Sequence, residues 1–518
     1  MTHSPAIADD PKQATSFPRF IRAAATTYGD EVFGRLEAED GAGESLTFRE
    51  VDDKSAQLAR GLLARGVGKG TRVGFIYGNG PVFVIVLSAI ARIGAVAIPI
   101  STLIKGNELV RVLRQSDVSG LIVQRELLGR DYVERMCEAL PGLEGAAAGP
   151  LYLSQTPYLR WVASTGDGLP PSINQLDAIY ADAEKVGEDI LREVESEVHS
   201  SDQMIEIYTS GSMALPKGVK HNHGPVLFRG EYIGRMQGAT RGKEGYCFLP
   251  MFWVGGLMIT LFPNWAHGAP TLFTDRTNIN SRSAMGSVLS DDDLAEMAKN
   301  MFKPYWGLGM TETLGPYTFG DEVRAPGRPM CAPMDHVAER YDIRIADEND
   351  QPVGQGELGE MQVRGYPVAS GLHKIERDQF FTADGYLHTG DVCLVDGTRI
   401  HFEGRSGDMI KTASSNVSPA EVELEMQAID GIHNAYVAGI PDKERGQIVA
   451  AAVVAREGVG QLDIAAIDAR LRQNLSGYKV PRAIVQIDRE ELPMLHSNKV
   501  SKRLLAELLI RKLGREAA

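Results

Sequence analysis

Apolar and polar residues alternate along this chain with two different periods, and the period changes several times. Over residues 17–123, short β-rich runs such as Val73-Gly-Phe-Ile-Tyr77 and Ala95-Val-Ala-Ile-Pro-Ile100 are interleaved with stretches such as 49–65, whose apolar positions recur at helical spacing. That alternation predicts stacked βαβ units. The most apolar run, 82–100, is interrupted by Arg92 and Gly94 and reads as a buried helix leading into a strand rather than as a membrane span. Residues 139–175, rich in glycine, proline and small side chains, read as an irregular surface excursion. A second α/β stretch begins near Met204 and continues past Phe273, and a β-rich segment with many glycines and acids covers 342–397. Beyond Gly404 the pattern predicts a helix at 419–427, strands at 434–439 and 448–455, a helix at 463–475 and a strand at 483–487. The expected fold class is therefore α/β: a large N-terminal domain of layered β-sheets flanked by helices (1–406) and a small C-terminal α+β domain (407–518).

At 518 residues the chain is longer than one hydrophobic core usually serves, which excludes a small binding module. The net charge of -14 argues against a general attraction to nucleic acid or anionic lipid, so a phosphate ligand must be held by local groups. Cys137, Cys247, Cys331 and Cys393 are far apart and form no paired spacing, which argues against a zinc ribbon, a redox dithiol or a disulfide framework. Reduced thiols, and an N-terminus without the basic and apolar regions of a signal peptide, give a cytoplasmic expectation.

The chemistry concentrates after the strand-like run Ile205-Glu-Ile-Tyr208, which leads into Thr209-Ser-Gly-Ser-Met-Ala-Leu-Pro-Lys-Gly-Val219. Phosphate oxygens need several donors converging on one point. Small residues let backbone N–H groups approach, while the hydroxyls of Thr209, Ser210 and Ser212 and the ammonium of Lys217 add side-chain donors around Gly211. The loop is not of the Walker type, because Lys217 follows Pro216 and precedes Gly218. Read alone, it is also compatible with an ordinary solvated loop.

This loop resembles the signature of the adenylate-forming superfamily of acyl-CoA synthetases, luciferases and peptide-synthetase adenylation domains. Further segments resemble that family's motifs in the same order: Gly309-Met-Thr-Glu-Thr313, Tyr386-Leu-His-Thr-Gly-Asp391, Gly404-Arg-Ser-Gly-Asp-Met-Ile410 with Asn416-Val-Ser-Pro-Ala-Glu-Val-Glu423, and Tyr478-Lys-Val-Pro481 with Leu492-Pro493 and Lys499. The resemblance implies a Mg²⁺ ligand at Glu312, a hydroxyl donor to the α-phosphate at Thr311, a ribose-binding carboxylate at Asp391 supported by Arg405, and a catalytic cation at Lys499. It places Leu308 and Gly309 at the adenine, Gly286 in what remains of an adenine loop, and a hinge at Gly407 that makes the small domain mobile. It also places the active site in a cleft between the domains. The segment Pro250-Met-Phe-Trp-Val-Gly-Gly256 resembles the lining of the acyl pocket, with Trp253, Val254 and Gly255 favouring an apolar acid.

The implied activity is ATP-dependent ligation of a carboxylic acid to coenzyme A through an acyl-adenylate, with ATP, Mg²⁺ and coenzyme A as co-reactants. No nucleic acid or integral membrane segment is expected, and a homodimer is left open. Two alternatives stand beside this reading: delivery of the acyl group to a carrier protein, and a non-catalytic nucleotide-binding protein. The second is motivated by departures from the family. Met213 and Ala214 replace a threonine and a glycine, Leu308 replaces a stacking aromatic unless Trp306 substitutes, and Ser414 and Asn498 replace glycines. The span 271–290 is also short by about a helix and a strand. Two other signals are set aside: Gly78-Asn-Gly80 as a tight turn, because Phe83 stands in place of the third glycine of a dinucleotide fingerprint, and His221-Asn-His223, which lacks the further ligands of a metal site. His223 is expected to pack near the phosphate loop, as the family's histidine does.

Overall fold

The continuous apolar runs become strands buried on both faces, as a parallel sheet requires. In the computed structural model, which describes residues 10–37, 43–104, 106–127, 129–209, 217–274, 308–318, 331–333, 336–412, 415–417, 419–442, 445–475, 477, 479–494 and 500–514, the chain divides into two compact units. One comprises Met1–Pro304, Gly309–Pro316 and Tyr366–Arg377; the other comprises Tyr305–Leu308, Tyr317–Gly365 and Asp378–Ala518.

The first unit is built on an eight-stranded sheet. Its strands Gln203–Thr209, Val96–Pro99, Arg72–Ile76, Gly120–Val123, Trp161–Ser164 and Ile173–Gln175 lie side by side and parallel in that order. Lys217–Asn222 adds antiparallel to Gln203–Thr209, and Gly371–Leu372 adds antiparallel to Lys217–Asn222. The helix Pro81–Arg92 starts with proline after Gly80, as a helix N-terminus favours, and delivers the strand Val96–Pro99, so the longest apolar run is a helix and a strand as expected. Leu109, Val112 and Leu113 of the helix Gly106–Gln115 join Val133 and Met136 of the helix Tyr132–Ala139 in one apolar cluster with Ile98, Leu121 and Val162. A second sheet sets Gly245–Cys247, Thr271–Phe273 and Val32–Leu36 parallel, with Ser45–Thr47 antiparallel at one end. The helix Phe48–Ala64 begins at a capping box in which Thr47 and Glu50 satisfy each other's backbone N–H.

One expectation fails here. The span 139–175 is not a surface excursion: Trp161–Ser164 and Ile173–Gln175 complete the large sheet, and Leu140, Leu143, Leu151 and Leu159 are fully buried or nearly so. The strands are short and their loops rich in glycine and proline, which hid the pattern. Gly120 shows how closely this part packs, since a Cβ there would lie 2.0 Å from the ring of Trp161 on the neighbouring strand.

The second unit holds a five-stranded antiparallel sheet in the order Cys331–Pro333, Arg399–Arg405, Leu387–Asp396, Leu358–Gly365, Tyr341–Ala346. Beyond it, Ile432–Asp442 and Gly446–Ala455 pair along their length, and Ala483–Gln486 adds parallel to the latter. Period-two alternation divides this last sheet into two faces. Val449, Ala451 and Val453 meet the helices Pro419–Gln427 and Ile464–Asn474, whereas Ile448, Ala450 and Ala452 meet Leu505, Leu508 and Leu509 of the helix Lys502–Lys512. The C-terminal elements expected from the sequence are all present. Among the described residues no helix is long and apolar enough to cross a membrane, and Cys137, Cys247 and Cys393 are free thiols.

His223 begins the helix His223–Gln237 and is fully buried, its Nδ1 accepting a hydrogen bond from the Phe17 N–H at 3.2 Å. Burial pushes its pKa down from 6.5 to about 3. The unfolded chain therefore takes up a proton at this imidazole below pH 6.5 that the folded chain refuses, so the contribution is complete above that pH and is lost as the pH falls towards 3. We expect urea midpoints to fall between pH 7 and pH 5, with a slope of up to about 1.4 kcal/mol per pH unit from this group. His223→Gln should flatten that dependence; an unchanged slope would remove the assignment.

Candidate active site

The loop predicted to hold phosphate grows from the two strands that bound it. Gln203–Thr209 and Lys217–Asn222 pair antiparallel, setting Thr209 opposite Lys217 and Tyr208 opposite Gly218, with Thr209 and Lys217 both half-buried. Ser210, Gly211 and Ser212, and the departures Met213 and Ala214, lie outside the described residues. So do Gly286, Trp306, Ser414, Tyr478, Asn498 and Lys499.

Beneath this stem is a charge that the sequence reading passed over. Glu206 is fully buried, and its carboxylate receives Arg72 at 2.6 Å, Gln203 at 3.0 Å and the Tyr208 hydroxyl at 2.8 Å. Burial and this anionic neighbour push the Tyr208 hydroxyl pKa far above its ordinary value. A Cβ on Gly218 would stand 2.5 Å from the Glu206 carboxylate, so the register pair needs glycine at this point for space. The backbone N–H of His373 donates to the Gly218 carbonyl at 2.8 Å, and the His373 ring lies 3.1 Å from Asp117.

Gly309, Thr311 and Glu312 share one tight turn. Gly309–Met310 pairs with Gly315–Pro316, and a Cβ on Gly309 would stand 2.5 Å from the Gly315 backbone. Between them Thr311–Thr313 makes one 3₁₀ turn, leaving Thr311 and Glu312 half-buried. This turn is bonded to the strand of the nucleotide stem: the Nε2 of His221 lies 2.8 Å from the Thr311 carbonyl, and the Ala369 N–H donates to the Glu312 carbonyl at 2.7 Å. The neighbour of this turn is His221; His223, expected to pack near the phosphate loop, begins the next helix and is bonded to Phe17.

The stretch that follows the predicted acyl segment lies near the same turn. Trp253, Val254 and Gly255 are half-buried and lead into a π-helical stretch, Gly256–Leu261, a form that often marks functional sites. A Cβ on Gly315 would lie 3.9 Å from the Cβ of Met258 in that stretch. The preceding loop is clamped by Asn79, which is buried and donates to the Leu249 carbonyl at 2.9 Å while accepting from the Met251 N–H at 2.9 Å. The segment set aside in the sequence as a turn therefore carries a positioning side chain.

In the second unit Asp391 and Arg405 face each other across two strands, with Arg405 Nε 2.7 Å from the carboxylate and its Nη1 2.6 Å from the Thr389 carbonyl. Asp391 is 5% exposed. Leu308 is tied to the same neighbourhood through Tyr317, whose N–H donates to the Leu308 carbonyl at 2.8 Å. Tyr317 is fully buried, its hydroxyl has no hydrogen-bond partner among the described residues, and burial together with the Asp391 charge raises its pKa well above 10. Gly407 lies in the turn after the strand Arg399–Arg405, with nothing within 4 Å of an added Cβ and no left-handed φ, so this conformation places no demand for glycine there.

The family model described as AMP-binding enzyme matches residues 20–285, and the one described as AMP-binding enzyme C-terminal domain matches residues 421–499. A feruloyl-CoA synthase of Amycolatopsis is 28% identical, the match covering 89% of this chain and 93% of that protein. A putative acyl-CoA synthetase of Bacillus subtilis is 25% identical, covering 90% and 92%. Among solved structures, an anthranilate CoA ligase in complex with anthranoyl-AMP superposes with a TM-score of 0.74 at 20% identity, over 96% of this chain and 98% of that one. The likeness in structure establishes the shared fold.

Removing the Glu206 charge while leaving Arg72 in place would strand a largely buried guanidinium, whose side chain is 15% exposed. Glu206→Leu should cost about 3–5 kcal/mol in chemical unfolding, against little change for Glu193→Leu on an exposed helix face. Equal midpoints for the two variants would show that the buried pair does not hold the stem.

Proposed function

Because the chain belongs to the AMP-binding enzyme family, we propose that it is an ATP-dependent carboxylic acid–CoA ligase that works through an acyl-adenylate and takes an apolar acid, fatty or aromatic. The observation that carries this reading is the bond between the stem of the phosphate loop and the turn bearing Thr311 and Glu312. That bond ties the turn bearing a hydroxyl and a carboxylate to the strand that begins at Lys217, which supports their acting on one nucleotide. The relatives named as feruloyl-CoA synthase and acyl-CoA synthetase support coenzyme A as the acceptor.

The chemical problem is that a carboxylate resists nucleophiles, because its leaving group would be oxide. In this reading one carboxylate oxygen attacks the α-phosphorus of ATP, the bond to the bridging oxygen breaks, and pyrophosphate leaves. The thiolate of coenzyme A then attacks the acyl carbonyl, and AMP departs with the electron pair of the C–O bond. No covalent enzyme intermediate is needed, so positioning and electrostatics supply most of the rate. Thr209, Ser210, Gly211, Ser212 and Lys217 hold the phosphates; Thr311 donates to the α-phosphate; Asp391, backed by Arg405, accepts from the ribose hydroxyls. Lys499, in a small domain that begins at Gly407, supplies the cation for charge building at phosphorus.

Magnesium fits the donor set present. Among the described residues no group of three or more His, Cys, Asp or Glu could cage an ion, whereas the single carboxylate of Glu312, next in sequence to Thr311, suits a hard cation that arrives bound to phosphate. When bound, it would neutralise phosphate charge. For the acid, the aromatic face of Trp253 with Val254 and Gly255 favours an apolar body.

The direct test is acid-dependent exchange of labelled pyrophosphate into ATP across a panel containing ferulate, anthranilate and octanoate, followed by mass spectrometry of products formed with coenzyme A or with a purified carrier protein. Exchange with an apolar acid and a CoA thioester are expected. Absence of exchange with every acid would end the adenylation reading, and acylated carrier without CoA thioester would move the acceptor. Lys499→Ala should abolish exchange yet largely spare thioester formation from a supplied acyl-adenylate; equal loss of both half-reactions would contradict its role.

A further inference from the structure

The turn carrying Thr311 and Glu312 presents its main-chain carbonyls inward, and separate elements supply donors to them. His221, on the strand Lys217–Asn222, meets the Thr311 carbonyl at 2.8 Å. The N–H of Ala369 meets the Glu312 carbonyl at 2.7 Å. The guanidinium of Arg229, on the helix His223–Gln237, donates to the Pro316 carbonyl. His221 is 1% exposed and Arg229 0% exposed.

A carbonyl oxygen can only accept, so the His221 proton sits on Nε2, the donor in this bond. Burying an imidazole and a guanidinium takes both out of water, a cost that an apolar pair of similar volume would avoid. What such a pair could not supply is direction. Each bond fixes the rotation of one peptide plane, and the side chains of Thr311 and Glu312 leave the backbone beside the plane that His221 holds. The same strand carries Lys217 at its start, so His221 ties the turn to the phosphate stem through four residues of extended chain.

We propose that His221 is a positioning residue for adenylation, pinning the Thr311–Glu312 turn to the phosphate stem, with Arg229 as the second pin at the end of the same turn. The inference rests on the adenylation reading above, which assigns Thr311 to the α-phosphate and Glu312 to the metal. His221 does not touch the reacting atoms; it acts through the turn. Misplacement of Thr311 and Glu312 should therefore lower the turnover of the first half-reaction and raise the magnesium needed for it, while leaving the apparent KM for the acid in place.

The experiment uses the full chain, the best acid of the panel above, and three proteins: wild type, His221→Leu and His221→Gln. Leucine keeps the bulk without a donor, whereas glutamine brings an amide N–H to a similar reach. The expected result is a loss of about 10- to 100-fold in the kcat of pyrophosphate exchange for His221→Leu. His221→Gln should return to within about threefold of wild type, and thioester formation from supplied acyl-adenylate should change little in either. A role confined to stability would instead lower the unfolding midpoint and leave exchange per folded molecule intact, which would overturn the proposal. Equal loss of both half-reactions, or no recovery with glutamine, would also overturn it. If wild type itself neither exchanges with any acid nor binds MgATP in a calorimetric titration, the adenylation reading falls and the role of His221 falls with it. That outcome is read on the wild-type protein alone and is distinct from a failure of His221 in an active enzyme.

Discussion

Between the strands Gln203–Thr209 and Lys217–Asn222 the ladder sets Thr209 against Lys217 and Tyr208 against Gly218, with the carboxylate of Glu206 fully buried beside the pair. A carboxylate without solvent must be met by partners: Arg72 reaches it from two strands away, past Val96–Pro99, and Gln203 and Tyr208 meet it from its own strand. Because Gly218 has no side chain, the carboxylate and the phenol occupy the space beside it. The two ends of the proposed phosphate loop are therefore held in register by the sheet beneath them. The segment between them starts at Thr209 and ends at Lys217, two residues that the ladder holds opposite each other.

The same logic extends to the other segments of the first unit. The turn at Thr311, the strand Gly371–Leu372 and the helix His223–Gln237 are far apart in sequence, yet each adds a donor or an acceptor to its neighbours on this edge of the sheet. In the second unit Asp391 and Arg405 stand opposite each other on paired strands, and Tyr317 joins the backbone of Leu308 to the surroundings of that carboxylate. Each unit thus presents its own share of the groups assigned to the nucleotide, prepared by local hydrogen bonds.

Much of this was legible in the residues. Long periodic segments such as 419–427 and 448–455 appear as a helix and a strand because one amphipathic repeat dominates each, and the order of loop, turn and carboxylate motifs gave the family. What could not be read depends on contacts between distant residues. His221 and Thr311 are 90 positions apart and Asn79 and Met251 172 positions apart, and no local pattern distinguishes a histidine that bonds a distant carbonyl from one that merely fills a core. Glu206 is not legible as a buried charge, since a single acid in an apolar run looks like an edge residue until its arginine is found. The strands in 139–175 were missed because three or four residues carry too little periodicity to outweigh surrounding glycine and proline.

The π-helical stretch Gly256–Leu261 has an implication for how this part of the chain can vary in length. A π turn holds one more residue than an α turn and absorbs it locally, so losing that residue would restore an α turn while the chain on either side kept its facing. Trp253 and Val254 lie on the N-terminal side, while Met258 lies within the stretch and beside Gly315. A one-residue deletion would therefore act on Met258 and its neighbours within the stretch, where point substitutions would change one side chain at a time.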